Sequence, residues 1–165
     1  MKAYLVLLLT AAWISTVVHA APVFPEDMNS REQGATLAPL GVQQLNKQAV
    51  LDFYEKGFNQ KDANAALKYL SKGYIQHNPT VADGPEGLRK FIAFLKEKYP
   101  QSHSQIKQIF ADGDYVVLHV HTVREAGTRG NAIIDIFRLD QGKIAEHWDV
   151  TQPIPEQTSS GNAMF

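Results

Sequence analysis

The chain of 165 residues contains no cysteine. This absence excludes structural disulfides, thiol catalysis, thiolate metal sites and a lipid-modified cysteine at the N-terminus. The fold must therefore be stabilised by packing, even in an oxidising compartment where disulfides usually form.

Net charge is also nearly absent. The chain has 16 basic and 17 acidic residues and a formal net charge of −1, so it lacks the basic surface that nucleic acids or anionic membranes attract. It also lacks an internal repeat, a P-loop and a glycine-rich dinucleotide turn, so we expect no nucleotide cofactor. A small uncharged or weakly charged ligand is the partner that this composition favours.

A long hydrophobic run occurs only at the N-terminus. Residues 1–20 read MKAYLVLLLTAAWISTVVHA, with one early lysine, an apolar stretch and small residues before Ala21. Hydroxyl residues interrupt the apolar stretch, which falls short of the roughly 20 residues that a spanning helix needs. We therefore predict a cleaved signal peptide over 1–20, a secreted or periplasmic location, and no membrane span after cleavage.

The rest of the chain divides into three parts. Residues 21–42 mix proline, glycine and scattered charges without a period, which predicts a flexible lead-in. Residues 43–152 carry the periodic segments and are predicted to form one α+β domain. Residues 153–165 again lack a period and are read as a C-terminal tail.

The first half of the domain has helical patterns. An amphipathic helix is predicted from Gln43 onward, in LNKQAVLDFYEKGFNQ. Asp62 is expected to cap a shorter helix over residues 63–70, which Ser71-Lys72-Gly73 ends. After an extended segment over Tyr74 to His77, a third helix follows in EGLRKFIAFLKEKY.

The second half reads as four strands, SHSQIKQIFAD, YVVLHVHTVRE, NAIIDIFRLD and KIAEHWDVTQ. The turn Asp140-Gln141-Gly142-Lys143 is a hairpin signal. Helices first and antiparallel strands last predict an α+β fold. The N-terminal helices are expected to pack in the concave face of a curved, mostly antiparallel sheet, as in a cone or half-barrel.

Two of these strands carry a histidine and an aspartate among apolar neighbours. Charged groups on such a face are costly to desolvate and are usually retained for a hydrogen-bonded partner or for chemistry. We therefore expect His121 and Asp135 to face one pocket. The residues that share a face with one of them, by the alternation of side chains along a strand, are Tyr115, Val117, His119, Val123, Ile133 and Phe137.

The order of motifs resembles the SnoaL-like polyketide cyclase family of the nuclear-transport-factor-2-like superfamily. The motifs are two helices followed by Tyr74-Ile-Gln-His-Asn-Pro79, Asp83-Gly-Pro-Glu-Gly87, Asp135-Ile-Phe-Arg138 and Gly142-Lys-Ile-Ala-Glu-His-Trp-Asp149. The resemblance runs from about Gln43 to Gln152 and is strongest to the branch described as predicted aldol-condensation-catalysing enzymes.

The resemblance implies a catalytic pair. In the characterised cyclases an aspartate on a central strand is the acid/base and a histidine on the preceding strand assists it, and Asp135 and His121 match those positions. The implied reaction needs no cofactor: the aspartate removes a proton next to a carbonyl, and the carbanion closes on a second carbonyl. A structural alternative is that Asp135 pairs with Arg124 or Arg138, which would lower its pKa.

Six further residues are predicted to contact the substrate. His119, Tyr115 and Phe137 are included by parity, and Trp148 and Glu146 because they share one side of the last strand. His77 lies beside a turn where the cone would open. His147 and Asp149 are expected to face the other way, toward a partner subunit or solvent.

A metal site is an alternative use of the same strand. His119, His121 and Glu125 form H-x-H-x-x-x-E, which also resembles the first metal motif of cupins. Cupins are all-β, however, and the downstream histidine motif is missing here. The prediction is therefore no metal and no cofactor, with this triad as the alternative.

Three functions remain open at this point. The first is aldol-type lyase or cyclase chemistry with Asp135 and His121, the second a non-catalytic module that binds a small apolar ligand, and the third a metal-dependent enzyme. We also predict a homodimer through the outer face of the sheet, because relatives of this fold commonly pair there. The residues assigned to that face are Val116, Leu118, Val120, Ile134 and Ile136.

Overall fold

The computed structural model describes residues 40–165. The predicted signal peptide over 1–20 and most of the lead-in over 21–42 lie outside the described residues. Within the described part, no helix combines the length and the apolar character that crossing a bilayer requires.

Within residues 40–165, three helices precede or interrupt the strands. Helix α1 spans Leu40–Tyr54 and continues into a turn of π-helix, Glu55–Asn59. Helix α2 is a single turn, Ala63–Ala66, and is followed by a 3₁₀ turn, Leu67–Tyr69. Helix α3 spans Gly84–Lys98 and has a proline in its first turn, where the missing N–H costs nothing.

In the described part of the chain, five strands form one sheet. They are β1 (Leu70–Gln76), β2 (His103–Asp112), β3 (Tyr115–Val123), β4 (Asn131–Asp140) and β5 (Lys143–Pro153). Their order across the sheet is β1-β5-β4-β3-β2, with β1 parallel to β5 and the other pairs antiparallel. The sheet is open and curved, and the predicted α+β class is confirmed.

The core lies between the helices and one face of the sheet, which we call the inner face. Val50 and Phe53 of α1 and Ile92 of α3 are almost fully buried there. Phe53 meets the ring of Phe137 of β4 edge to face, with the ring centroids 5.8 Å apart. Burial of these apolar side chains is the main stabilising contribution that the sequence offers in the absence of disulfides.

Two predicted boundaries differ from the structure. Residues 40–42, assigned to the lead-in, already belong to α1. The helix predicted over residues 63–70 is one residue too long, because its α-helical turn continues as a 3₁₀ turn that ends at Tyr69. Leu70 is instead the first residue of β1, where it is buried and paired with Ile144 of β5.

The prediction of the outer face is wrong for β3. Leu118 lies opposite Asp135, and Val120 lies opposite Ile133. Directly opposed residues point to the same side of a sheet, so the fully buried set of β3 faces the helices together with Asp135. This set is Val116, Leu118 and Val120. Ile134 and Ile136 do lie on the outer face, as assigned.

A β-bulge in β5 decides which side chains face inward. Leu139 pairs with Ile144, but the next pair is Arg138 with Glu146, so one extra residue, Ala145, is inserted in β5. One residue of slip moves every following side chain to the opposite face. From Glu146 onward the odd-numbered residues of β5 therefore share the inner face with Asp135.

The loop between β1 and α3 closes one end of the sheet. A Cβ atom at Gly87 would lie 1.8 Å from the carbonyl oxygen of Ala82. Only glycine permits this close approach of the loop to the helix. The contact holds the segment that carries Asn78 and Val81 over the inner face.

Candidate active site

A cavity opens between the inner face of the sheet and helices α1 and α3. Its apolar wall consists of Phe58, Val81, Leu88, Phe91, Leu95 and Ile133, and its polar wall includes Tyr54, Gln76, Asn78, Asp135, His147 and Asp149. The cavity volume is about 70 Å³. That is room for a few waters or for the reacting part of a small compound.

Asp135 and His147 form a buried pair on the polar wall. The two residues are 4% and 6% exposed, and Asp135 Oδ1 lies 3.0 Å from His147 Nε2. Phe137 stacks on the imidazole, with ring centroids 4.7 Å apart. The sheet register brings them together, because His147 pairs with Phe137 and Asp149 pairs with Asp135 across β4 and β5.

Tyr54 holds the other oxygen of the carboxyl group. Its hydroxyl donates a hydrogen bond to Asp135 Oδ2 at 3.1 Å. Tyr54 is the last residue of α1, directly before the π-helical turn. Both oxygens of Asp135 therefore have a partner, as burial of a carboxyl group requires.

A second layer of hydrogen bonds supports His147 from β1. His147 Nδ1 lies 3.0 Å from Gln76 Oε1, and the amide of Gln76 donates to the hydroxyl of Tyr74 at 2.8 Å. Asn78 donates from its side-chain nitrogen to Asp149 Oδ2. The network connects β1, β4 and β5 with the end of α1.

Burial dominates the electrostatics of this network. It raises the pKa of Asp135, although the hydrogen bond with His147 opposes the effect. It also raises the pKa of Tyr54 well above 10, aided by the neighbouring Asp135, and that of Tyr74 is raised mainly for the same reason. Asp135 is therefore easier to protonate than an exposed aspartate.

The alternative of a structural ion pair is not what the structure shows. Within residues 40–165, the partner within ion-pair distance of Asp135 is His147, and no lysine or arginine takes that place. Arg138 pairs instead with Glu146. Arg124 lines the cavity, with its guanidinium 5.8 Å from the ring centroid of Phe91.

Three side chains of the network have the spacing of metal ligands. Asp135, His147 and Asp149 each offer one atom, and these atoms lie within 4.8 Å of one another. Their hydrogen bonds already join Asp135 to His147 and Asp149 to Asn78. We therefore interpret the cluster as an acid/base group in which each member has a hydrogen-bonded partner.

The predicted pairing of His121 with Asp135 is wrong. His121 lies opposite Ala132 in the sheet, one residue out of step with the inner-face pairs, and so points to the outer face. Its Nε2 bonds to the carbonyl oxygen of Arg129 at 2.8 Å. Its ring packs near Phe165 of the C-terminal tail, with centroids 5.1 Å apart.

Most of the predicted substrate contacts also lie outside the cavity. His119 packs near Phe165, and Tyr115 pairs with Arg138 on the outer face. His77 stacks on Trp148 at 4.4 Å between ring centroids and bonds to Glu146 at 3.1 Å. For Glu146 and Trp148 the physical reason is the bulge at Ala145, which turns them outward, whereas His119 and Tyr115 face outward because they pair with Ile134 and Arg138 of β4. Phe137 is on the inner face, where its ring stacks on the imidazole of His147.

The alternative metal triad does not come together. Within residues 40–165, the one cluster of three potential ligands is the inner-face cluster already described. His119, His121 and Glu125 are not part of it, since Glu125 follows the end of β3 in an exposed loop. The H-x-H motif therefore has no third ligand in the described structure.

Sequence reasoning missed the residues that surround Asp135. The pattern predicts His147 and Asp149 on the opposite face of the sheet. It includes Tyr54 only as a member of the first helix, and Gln76 and Asn78 only as members of the motif from Tyr74 to Pro79. One available signal was the uniformly apolar set of Val116, Leu118 and Val120, which marks the core face of β3 more clearly than the set that contains the histidines.

The fold and the buried acid/base pair define a small α+β protein with a cavity between helices and sheet. The family model of the SnoaL-like domain matches residues 50–147. This is more than half of the chain, so the protein belongs to the SnoaL-like family, and the predicted resemblance is confirmed. Among the curated proteins, none has a sequence that matches this chain.

Solved structures agree with this assignment at the level of fold. TsrD from Streptomyces laurentii is 22% identical, with a TM-score of 0.57, and the match covers 65% of this chain and 88% of TsrD. A candidate polyketide cyclase from Bacillus cereus is 20% identical over 66% of this chain and 74% of its own, with a TM-score of 0.58. A candidate SnoaL-like polyketide cyclase from Jannaschia sp. is 20% identical over 72% and 92%, with a TM-score of 0.57.

Proposed function

We propose that the protein catalyses an aldol-type condensation or cyclisation of a small apolar carbonyl compound by acid/base chemistry without a cofactor. The observation that carries this proposal is the buried, hydrogen-bonded pair of Asp135 and His147 in a cavity that has both a polar and an apolar wall. Burial raises the pKa of this carboxyl group, and a raised pKa is what a carboxyl group needs to act as a general acid or base. Membership of the SnoaL-like family supports the same class of chemistry.

The reaction divides into two proton transfers. Asp135, as carboxylate, removes a proton from the carbon next to the substrate carbonyl, and the electron pair moves to the carbonyl oxygen as an enolate. The enolate carbon then bonds to a second carbonyl carbon, and the resulting alkoxide takes a proton back. His147 assists by accepting the proton that Asp135 must give up before it can act as a base.

The first proton transfer can be tested before the natural substrate is known. Butanone and acetophenone in deuterated buffer report removal of the proton next to a carbonyl, because deuterium enters at that carbon and is measured by NMR. We expect Asp135→Asn to reduce the enzyme-dependent rate by about 10²-fold or more, the usual contribution of a general base. Glu146→Gln, which changes a carboxylate on the outer face, is the matched control and should keep the rate.

A non-catalytic module that binds a small ligand is the second candidate. Within the described residues, every fully buried polar side-chain atom already has a hydrogen-bond partner. Such a cavity can hold an apolar molecule, because its own buried polar groups do not depend on the ligand for a hydrogen bond. Equal exchange rates for the wild type and Asp135→Asn, together with a molecule that is released unchanged from the purified protein, would favour this candidate over catalysis.

We also propose that the protein is exported and that its signal peptide is cleaved before Ala21. The supporting pattern is the apolar segment over 1–20 with small residues at its end. Expression of the full chain and intact mass measurement of the exported fraction test this. A mature mass that begins at Ala21 is expected, and a mass that retains residues 1–20 would contradict export by this route.

We further propose a homodimer through the outer face of β5 and its neighbours. Apolar side chains are exposed there: Val150 is 72%, Ile75 43% and Ile134 39% exposed. Several exposed apolar side chains on one face of a sheet are typical of an interface. Val150→Glu should give a monomer in light scattering, whereas Val42→Glu on α1 should leave the dimer intact. A monomeric wild type would refute the proposal.

A further inference from the structure

The position of the proton shared by Asp135 and His147 depends on Gln76. This residue is the last of β1 and pairs with His147 of β5 across the parallel strands. Its backbone N–H donates to Asp83 Oδ1 at 2.8 Å, which fixes the end of the strand. The side chain reaches the imidazole nitrogen that faces away from Asp135.

The orientation of the Gln76 amide is fixed by a neighbouring group that can only donate a hydrogen bond. The backbone N–H of Asn78 lies 2.9 Å from Gln76 Oε1, and a backbone N–H can only donate. The oxygen of the amide must therefore face Asn78. The amide nitrogen then faces Tyr74 and donates to its hydroxyl at 2.8 Å. The positions of the amide oxygen and nitrogen are thus assigned from their hydrogen-bond partners, because the two atoms are alike in shape.

The same oxygen decides which nitrogen of His147 carries a proton. Nδ1 lies 3.0 Å from Gln76 Oε1, and a carbonyl oxygen has no hydrogen to give. Nδ1 must therefore be protonated and donate. In the neutral imidazole this leaves Nε2 without a hydrogen, as an acceptor that faces Asp135.

A bare Nε2 cannot face an ionised carboxylate at hydrogen-bond distance. Nε2 and Asp135 Oδ1 are 3.0 Å apart, and two lone pairs at that distance repel each other. One proton must lie between them. Two states satisfy this condition: a carboxylic acid that donates to a neutral imidazole, and an imidazolium that donates to a carboxylate.

We propose that Gln76 is a positioning residue that keeps Nδ1 of His147 protonated, so that a single proton moves between Nε2 and Asp135 Oδ1. Because an amide oxygen is neutral, it fixes the tautomer without stabilising the imidazolium strongly. A carboxylate in its place would hold the proton on His147, as charged acceptors do. The catalytic use of this arrangement rests on the proposed function.

Other charged or titratable groups also face the pair. Tyr54 approaches from α1, Tyr74 from β1 and Asp149 from β5, and Arg124 lines the same cavity beyond the end of β3. Among these, Tyr54 contacts the carboxyl group of Asp135, and Asp149 is bonded to Asn78. Gln76 is the group that contacts Nδ1, so a change at Gln76 acts on the tautomer directly.

The test is the protonation state of His147, read by NMR of protein with ¹⁵N-labelled histidine. Long-range proton–nitrogen correlations distinguish a ring protonated at Nδ1, a ring protonated at Nε2 and an imidazolium. His147→Gln identifies the resonance by its loss. In the wild type we expect protonation at Nδ1 at neutral and alkaline pH, with Nε2 as the nitrogen that gains and loses the proton.

Two variants of Gln76 separate positioning from a purely structural role. In Gln76→Glu the acceptor stays and gains charge, and the Tyr74 hydroxyl can donate to it, so the imidazolium signature should persist to a pH higher by about one unit or more. In Gln76→Leu the acceptor is lost, so Nε2–H should become the main neutral tautomer and donate to an ionised Asp135. Gln152→Glu adds the same charge on the outer face and should leave the His147 signals unchanged.

The outcomes separate this inference from the proposed function. Protonation at Nε2 in the wild type, or an unchanged signature in Gln76→Glu, would overturn the role of Gln76 even if Asp135→Asn abolishes exchange activity. The expected signatures in protein whose deuterium exchange does not depend on Asp135 would support the tautomer and refute the catalytic use. Expected signatures with an upward shift in the pH profile of Gln76→Glu support both.

Discussion

The two faces of the sheet each carry a histidine paired with a carboxylate, at almost the same distance. On the inner face His147 and Asp135 are 3.0 Å apart with side chains 8% and 5% exposed; on the outer face His77 and Glu146 are 3.1 Å apart and 36% and 20% exposed. The pKa of Asp135 is raised by burial, whereas that of Glu146 is lowered by its hydrogen bonds with His77 and Arg138. The surroundings, and not the distance, decide what such a pair can do.

The difference has a simple physical origin. The outer pair is partly exposed and has the guanidinium of Arg138 beside it, so the charged form of Glu146 is favoured. The inner pair has Phe137 and Tyr54 beside it and no arginine within ion-pair distance among the described residues. The carboxyl group of the inner pair is therefore easier to protonate than that of an exposed aspartate, and the outer pair is a partly exposed surface contact of small energetic value.

Replacement of the two histidines gives the largest expected contrast. His147→Gln removes the nitrogen that shares a proton with Asp135, and we expect the deuterium exchange of butanone to fall by about 10²-fold. His77→Gln removes the partner of Glu146 on the outer face and should change the rate by less than about twofold.

Both variants are measured by the same NMR assay, with circular dichroism as the check on folding. Equal losses in the two variants would mean that the faces are not functionally different, and the comparison would fail. A loss of exchange rate in His77→Gln alone would indicate that the active site is on the outer face.

The two carboxylates should also affect stability with opposite signs as pH changes. Asp135 binds its proton more tightly in the folded than in the unfolded protein, so its favourable contribution is complete below the unfolded pKa of about 3.9 and is lost as pH rises through its raised folded value. For Glu146 the folded pKa is lowered, so its contribution is present above about 4.3 and is lost as pH falls through the folded value.

Urea unfolding from pH 3 to pH 8 measures both effects. Relative to the wild type, Asp135→Asn should gain stability as pH rises, because it cannot ionise, and Glu146→Gln should lose its relative disadvantage as pH falls. Parallel stability curves for the two variants would show that the two environments do not differ in the way the structure indicates.

The bulge at Ala145 explains why the sequence predicted the architecture better than the site. Counted back from the Asp140–Lys143 turn without a bulge, Asp135 would pair with Trp148, and Glu146 with Phe137. The observed pairs are Asp135 with Asp149 and Phe137 with His147. One inserted residue, invisible in the hydrophobic pattern, thus exchanges the two sets of side chains.

The loop between β3 and β4 similarly prevents a prediction of which residues of β3 share a face with Asp135. Seven residues, 124–130, separate these strands, so the turn does not fix whether odd or even residues of β3 share a face with Asp135. The strands and helices themselves were predictable because their periodicity extends over whole segments, and Asp135 was predictable because it interrupts an apolar face. The partners His147, Tyr54 and Gln76 come from three distant segments and depend on the tertiary structure.

Removal of one hydroxyl group should have a smaller effect than removal of the imidazole. Tyr54→Phe takes away the hydrogen bond to Asp135 Oδ2, which lowers the pKa of that carboxyl group, so its loss should raise this pKa further. We expect an exchange rate about tenfold lower at neutral pH and a stability loss of about 1 kcal/mol. Tyr115→Phe removes a hydroxyl on the exposed outer face and serves as the control; an identical effect of both variants would exclude a specific role for Tyr54.

The smallest effect on the exchange rate is expected for His121, the histidine that the sequence pattern placed in the catalytic pair. His121→Ala removes an outer-face ring that bonds to the Arg129 carbonyl and packs near Phe165, so the exchange rate should change by less than about twofold and the stability by about 1 kcal/mol at most. The rate is measured with the butanone assay and the stability by urea unfolding. A tenfold loss of rate would mean that His121 reaches the cavity, which requires β3 to be shifted by one residue against β4. That shift would also expose Leu118 and Val120, so a stable protein with an essential His121 is incompatible with the packing described.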